Sequence, residues 1–213
     1  MAAADAPIVA PYADLEPPEI LARNLQAGAR LLAAAQAFAL LAFVFAYFYL
    51  RALNSNGDWR PKGVDPSAGI GVALAVCLAV SAAAYFYGVH RLGDGTEPAW
   101  RVGAIVSLVS ALAAFGLIIA QFAAMSFGPT SGGWASVFIG WMAVFGLMLL
   151  GTLYWLECLV AQSLHTHTQA VAPEGADVAA PFELMRPAGD ALAVVLYLMA
   201  GFGLVGWVVL WLI

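Results

Sequence analysis

The chain has 213 residues, of which 63% are hydrophobic and only 10% are charged. Soluble domains carry about 25% charged residues, so this chain lacks the polar surface that a soluble enzyme or a secreted disulfide scaffold needs. Its net charge is −5 and it has no basic run, which excludes a nucleic-acid-binding protein. The composition predicts an integral membrane protein.

Long stretches without Asp, Glu, Lys or Arg divide the chain into membrane-spanning segments. The longest stretch, residues 102–156, is broken at 126–133 by a cluster of Gly, Pro and Ser that cannot continue a helix. Each resulting segment is long enough to cross about 30 Å of hydrocarbon as a helix, which satisfies its own backbone groups in lipid. We therefore predict an all-α bundle of five transmembrane helices, at about residues 28–52, 67–91, 101–125, 134–162 and 188–213.

Two polar regions lie outside these segments. Prolines and carboxylates predict a polar tail and interfacial segment over residues 1–27, ahead of a transmembrane domain at 28–213. The tail has no basic region followed by an apolar stretch, so it does not resemble a signal peptide. Between the fourth and fifth helices, Pro173, Pro181 and Pro187 argue against a long helix.

The distribution of Lys and Arg predicts the orientation in the membrane. With five spans, the N-terminal segment shares one side with the second and fourth connections. That side carries Arg23, Arg30, Arg91, Arg101 and Arg186, and the other side carries Arg51, Arg60 and Lys62. Because cytoplasmic segments are enriched in Lys and Arg, five against three favours an N-terminus inside and a C-terminus outside.

Small residues and tryptophans predict how the helices pack. Rows of small residues with a spacing of four allow helix backbones to approach closely in lipid, which favours a compact bundle. The rows are Ala29, Ala33 and Ala37; Gly71, Ala75, Ala79 and Ala83; and Gly116, Ala120 and Ala124. Tryptophans near the span ends are expected to form the aromatic belts of a membrane protein. They are Trp59, Trp100, Trp134 and Trp211.

Polar side chains inside the predicted spans are few, and we interpret most of them as structural. Gln36 and Gln121 are the notable interior amides, and an amide in lipid normally bonds to a neighbouring helix, worth about 0.6–2 kcal/mol. Gln36 is therefore expected to matter for packing and not for proton transfer. Arg51, which closes the first span, is grouped with them as a structural charged residue.

Glu157, near the inner end of the fourth span, has two interpretations. An ionisable group inside a membrane often marks a proton relay or an ion site. Alternatively, Glu157 is an ionised interfacial carboxylate beside an arginine on the same side of the membrane. We favour the second interpretation, because the predicted helix ends about a turn and a half beyond this residue. The candidate partners are Arg30, Arg91, Arg101 and Arg186.

The pattern of Cys and His gives no support for a metal or haem site. Cys77 and Cys158 lie far apart in apolar surroundings and are interpreted as small buried residues. Haem between helices needs axial ligands inside the bundle, normally His, and no predicted span has an interior His. His165 and His167 could share a metal, but a pair of solvated loop histidines is the favoured interpretation. We assign no catalytic, cofactor-binding or metal-binding residue in this chain.

Three segments carry a resemblance to a known family. The end of the first span reads Phe45-Ala-Tyr-Phe-Tyr-Leu-Arg-Ala52, and Gly57-Asp-Trp-Arg-Pro61 follows it. Together they resemble the end of the first helix and the next loop in the five-helix form of subunit III of haem–copper (cytochrome c) oxidases. Ser136-Val-Phe138, with Gly146 and Gly151 beyond it, resembles the start of that family's fourth helix. The resemblance covers residues 28–213.

Several positions depart from the family pattern. Where the family has a buried glutamate in this first helix, the matching residue is Gln36, and the glutamate that usually follows Gln121 is absent. The histidines of the family's fourth and last helices are replaced by residues 145–148, Phe-Gly-Leu-Met, and by residues 196–200, Leu-Tyr-Leu-Met-Ala. The resemblance is thus to a divergent subunit III, whose ionisable positions are neutral.

The resemblance implies a function. Subunit III of this family is a non-catalytic accessory subunit that packs on the catalytic subunit I, beside the copper-binding subunit II, and holds membrane phospholipids. It implies that haem and copper reside in those partner subunits, within a proton-pumping terminal oxidase of aerobic respiration in the cell (inner) membrane. Two alternatives remain open: a similar accessory subunit of another respiratory complex, such as a nitric oxide reductase, and a free-standing small transporter.

Overall fold

The computed structural model describes residues 18–54, 57, 59–169 and 180–213. These residues form five α-helices and no strand. The helices are α1 (Pro18–Ala52), α2 (Ala68–Gly93), α3 (Glu97–Ala124), α4 (Gly133–Gln169) and α5 (Ala180–Trp207), and α5 ends in a π-helical turn at Val208–Leu212. All five are long and apolar enough to cross a membrane, so the predicted number and class of helices are confirmed.

Three helix ends differ from the prediction. Helix α1 begins ten residues early, at Pro18, and Glu19 in its first turn favours a helix start through the helix dipole. Helix α4 runs on to Gln169. Helix α5 begins at Ala180 and contains Pro187, so the expectation that prolines exclude a helix there is wrong from 180 onward. Pro181 stands in the first turn, where a missing N–H breaks no helical bond; Pro173 lies outside the described residues.

Helices α2 and α3 form the tightest pair in the bundle. A three-residue turn joins them, and Gly95 in that turn has φ +77°, which favours glycine. In the contact between α2 and α3, which we call the seam, a Cβ added to Gly103 would lie 2.7 Å from the carbonyl oxygen of Ala84 and 2.7 Å from the Cα of Gly88. The hydroxyl of Ser81 donates to the Ser107 carbonyl oxygen at 3.0 Å. Small residues thus let the two backbones touch.

Helix α5 occupies a central place, because it contacts α1, α2 and α4. Its Ala191 and Val195 pack against Ala29 and Ala33 of α1. Helix α1 is the least buried of the five spans. The small residues Ala29 and Ala33 therefore let the peripheral helix α1 pack closely against the central helix α5.

Contacts between the connections define two ends of the bundle. At the first end, the backbone N–H of Trp134 donates to the carbonyl oxygen of Trp59 at 2.9 Å, and Arg51 Nη1 donates to the backbone oxygen of Ile213 at 3.1 Å. We call this the tryptophan end. At the opposite end, Arg186 lies beside Gly93, where an added Cβ would be 3.4 Å from its Nη2. We call this the arginine end.

The tryptophans do not all form an outer belt. Trp100 and Trp134 have exposed fractions of 0% and 1%, so they pack inside the bundle and correct the belt prediction at these positions. The Nε1 atoms of both are buried and have no hydrogen-bond partner among the described residues. Trp59 and Trp211 are half-buried, and Trp211 Nε1 donates to the Ser67 carbonyl oxygen at 3.3 Å.

Candidate functional site

A groove between α1 and α4 is the strongest candidate site. Its volume is about 440 Å³, and it also reaches Val195 of α5. The residues that matter for its chemistry are Leu32, Ala35 and Gln36 of α1 and Leu147, Gly151 and Thr152 of α4. The groove is therefore mainly apolar, with two polar side chains.

Gln36 is the unusual residue of this groove. Its exposed fraction is 7%, and its Oε1 atom is buried without a hydrogen-bond partner among the described residues. The neighbouring hydroxyl of Thr152 donates to the Met148 carbonyl oxygen at 3.0 Å, so its single proton is already used. A buried acceptor left without a partner costs about 1–3 kcal/mol, so this oxygen is a place where a donor would be stabilising.

A second groove lies between α3 and α4. Its volume is about 270 Å³, and every side chain that lines it is apolar. Phe115 and Phe122 of α3 face Met142, Gly146 and Leu150 of α4 across it. This surface can hold a hydrocarbon chain but offers nothing to a polar group.

Gln121, the other predicted interior amide, lies in the bundle and not in either groove. Its exposed fraction is 1%, and its Oε1 has no hydrogen-bond partner among the described residues. The expected bond from a neighbouring helix is thus not made to this oxygen within the described part of the chain. Gln36 and Gln121 share the same chemical state, but only Gln36 borders an open groove.

Arg51 joins two helices at the tryptophan end. Its Nη1 donates to the hydroxyl of Tyr47 at 3.3 Å as well as to the backbone oxygen of Ile213. Its guanidinium carbon lies 5.9 Å from the centre of the Tyr47 ring. These contacts join the end of α1 to the end of α5.

Glu157 lies exposed on α4. Among the described residues the ion pairs are Arg60–Asp65, Arg91–Asp94 and Arg101–Glu97, so the expected pairing of Glu157 with an arginine is not formed there. The helix also continues twelve residues beyond Glu157, further than predicted. Its neighbour Leu159 nevertheless packs in one cluster with Leu92 and Met185, which places Glu157 towards the arginine end.

The histidines and cysteines are dispersed. Cys77 and Cys158 are free and half-buried, and the ring of the exposed His90 stacks on Phe86 with 6.2 Å between ring centres. His165 and His167 belong to the last turns of α4 and not to a loop, and their side chains lie outside the described residues. In the described part of the chain, no three His, Cys, Asp or Glu side chains come together as metal ligands would.

The sequence analysis missed two polar residues, Asp190 and Tyr85. Asp190 is half-buried on α5, inside the stretch that can cross a membrane. Beside it, the hydroxyl of the fully buried Tyr85 donates to the carbonyl oxygen of Gly189 at 3.0 Å and joins α2 to α5. The position of Asp190, immediately before the last charge-free run, was the signal available in the sequence.

Neither a known family model nor a curated protein sequence matches this chain. The fold itself defines the class: five long apolar helices make this a multi-pass membrane protein.

Proposed function

We propose that this chain is a non-catalytic accessory subunit, similar to subunit III, of a proton-pumping haem–copper terminal oxidase in aerobic respiration. It packs on the catalytic subunit I, beside the copper-binding subunit II, and binds membrane phospholipid. Haem and copper belong to those partner subunits. The complex lies in the cell (inner) membrane, with the N-terminus of this chain inside and its C-terminus outside.

The observation that carries the proposal is the meeting of the three resembling segments at the tryptophan end. The rings of Tyr47 and Trp59 lie 5.1 Å apart and nearly perpendicular. Trp59 accepts the backbone N–H of Trp134, whose ring stacks on Phe138 at 4.9 Å. Segments that lie apart in the sequence thus form one aromatic cluster. This supports the resemblance, because the matching residues belong to one structural unit.

The groove between α3 and α4 supports the lipid-binding part of the proposal. Its lining is entirely apolar, and Ile119, Leu147 and Leu150 in that lining are exposed. An acyl chain needs no hydrogen-bond partner, so such a groove suits it well. Phe115 and Phe122 provide large apolar surfaces for the contact.

The proposed orientation follows the positive-inside rule. Arg186 belongs to the arginine end, next to the turn that Arg91 and Arg101 flank. Arg51 and Arg60 belong to the tryptophan end, where the Arg60 guanidinium carbon lies 4.5 Å from the centre of the Trp134 ring. The arginine end is therefore proposed to face the cytoplasm.

Purification of the intact complex tests this proposal. An affinity tag on this chain, with extraction from its own membranes in a mild detergent, should recover a complex with haem absorbance, bound copper and oxygen consumption. A monodisperse, colourless protein would sink the proposal and favour the free-standing transporter. Haem without copper would overturn the oxidase in favour of a complex such as a nitric oxide reductase.

A further inference from the structure

We propose that the groove between α1 and α4 is a docking site for one transmembrane helix of a partner chain, and that the Gln36 side chain, whose Oε1 is buried in the isolated chain, turns into the groove to accept a hydrogen bond from that helix. The inference rests on the proposed function for the identity of that partner. The docking itself depends only on the groove and on Gln36.

Gln36 Oε1 is a hydrogen-bond acceptor that receives no hydrogen bond from the described residues. Gln36 Oε1 is buried, lacks a partner among the described residues, and lies beside a hydroxyl whose proton is already used. Gln36 stands six residues after Arg30, so it lies roughly 9 Å further along the helix into the apolar stretch. Phospholipid acyl chains carry no donor at such a depth, whereas a helix side chain can place one at any depth.

The shape of the groove also suits a helix. Ala35 and Gly151 are small and exposed, and a Cβ added to Gly151 would meet nothing within 4 Å. Leu32 and Leu147, with exposed fractions of 44% and 71%, line the groove beside them. A partner backbone can therefore come close to the small residues while its side chains pack between the leucines. Small residues together with a polar side chain are typical of helix interfaces in membranes.

Two other outward surfaces of the described residues lack this combination. The groove between α3 and α4 has no polar lining. Gly116, Ala120 and Ala124 form an exposed row on α3, but the unpartnered oxygen of the neighbouring Gln121 is buried and lines neither of the two grooves. Apolar surfaces of this kind are satisfied by lipid, so the α1–α4 groove is the one surface of the described residues that we assign to a helix.

Site-specific photo-crosslinking in native membranes tests the docking. The photoreactive residue p-benzoylphenylalanine replaces Leu32, which is 44% exposed and lines this groove but not the groove between α3 and α4. As a control it replaces Val109, which is 60% exposed on α3 and lines neither of these two grooves. We expect a single protein adduct from position 32, with the crosslinked peptide mapping to a transmembrane segment of a co-purifying chain, and none from position 109. Adducts to lipid or quinone alone at position 32 would overturn the inference.

A pair of matched variants tests the role of the amide. Gln36→Met keeps the length of the side chain and removes its hydrogen bonding, so the yield of the adduct, normalised to the amount of this chain in the membrane, should fall about three- to fifteenfold. Gln121→Met removes an equally buried, unpartnered oxygen that does not line the groove and should leave the yield unchanged. Equal yields from the two variants would contradict the role assigned to Gln36.

The identity of the captured helix separates the two proposals. A helix from a haem–copper catalytic subunit supports both. A helix from a complex without these metals supports the docking and overturns the proposed function. Lipid-only adducts from a complex that does contain haem and copper overturn the docking alone.

Discussion

Gln36 is an amide at a position where the resembling family has a carboxylate. An amide cannot release a proton at neutral pH, so a role in proton transfer has no chemical basis at this residue. In complexes that remain assembled, Gln36→Leu should leave the number of protons pumped per electron unchanged. Proton pumping in reconstituted vesicles measures this ratio. A clear loss of pumping at normal subunit content would defeat the prediction.

Replacement of Glu157 tests whether this carboxylate has only a structural role or handles protons. The side chain is exposed and forms no ion pair among the described residues, so its loss removes little interaction energy. Glu157→Gln should therefore assemble normally and reduce turnover by less than about twofold. The matched control is Glu97→Gln, which breaks the pair with Arg101 at the start of α3. If Glu157→Gln abolished oxygen consumption in an intact complex, Glu157 would have to be a proton-handling residue.

The candidate site was only partly predictable from the sequence. The identity of Gln36 as an interior amide followed from its place in a charge-free run. The groove beside it did not, because it depends on which face of α4 lies next to α1. Likewise, the pairing of Glu157 was misjudged, since opposite charges on one side of a membrane need not be neighbours.

At the scale of the helices, the seam between α2 and α3 gives the sharpest prediction. A Cβ at Gly103 would clash with backbone atoms of Ala84 and Gly88, which cannot move without separating the helices. Gly103→Ala should therefore destabilise the protein by about 1–3 kcal/mol, seen as a lower midpoint of thermal unfolding in detergent.

Gly116 on the same helix provides the control for this prediction. A Cβ there would meet nothing within 4 Å, so Gly116→Ala should be neutral, or stabilising by up to about 1 kcal/mol through helix propensity. Equal effects of the two substitutions would show that the close approach of α2 and α3 does not govern stability.

The rows of small residues show why helix faces are hard to assign from sequence. Ala29 and Ala33 are buried against α5, as a packing row should be. Gly116, Ala120 and Ala124 have the same spacing but face outward. The spacing shows that the small residues share one face of a helix, but it does not show whether that face points into the bundle or outward. Only the positions of the neighbouring helices decide which of the two rows is buried. The extent of α5 was misjudged for a related reason, since a helix in a bundle can accommodate Pro187.

At the scale of the whole molecule, the five-helix architecture was readable from composition, because lipid allows long apolar runs little choice of structure. The arrangement of the connections adds a constraint that composition lacks. Trp59 and Trp134 bring the first and third connections together, and Arg186 lies beside the second. The first and third connections therefore lie at one end of the bundle and the second at the other. In a membrane, successive loops must then lie on opposite sides.

Labelling of single cysteines tests this topology together with the proposed orientation. In a chain with Cys77→Ala and Cys158→Ala, a cysteine is placed at Lys62 in the first connection or at Asp94 in the second, both exposed sites. A membrane-impermeant maleimide should label Lys62→Cys in intact cells and should label Asp94→Cys only after permeabilisation. The reverse pattern would place the N-terminus outside and refute the orientation. Labelling of both sites in intact cells would be incompatible with the alternating topology itself, because α2 would then fail to cross the membrane.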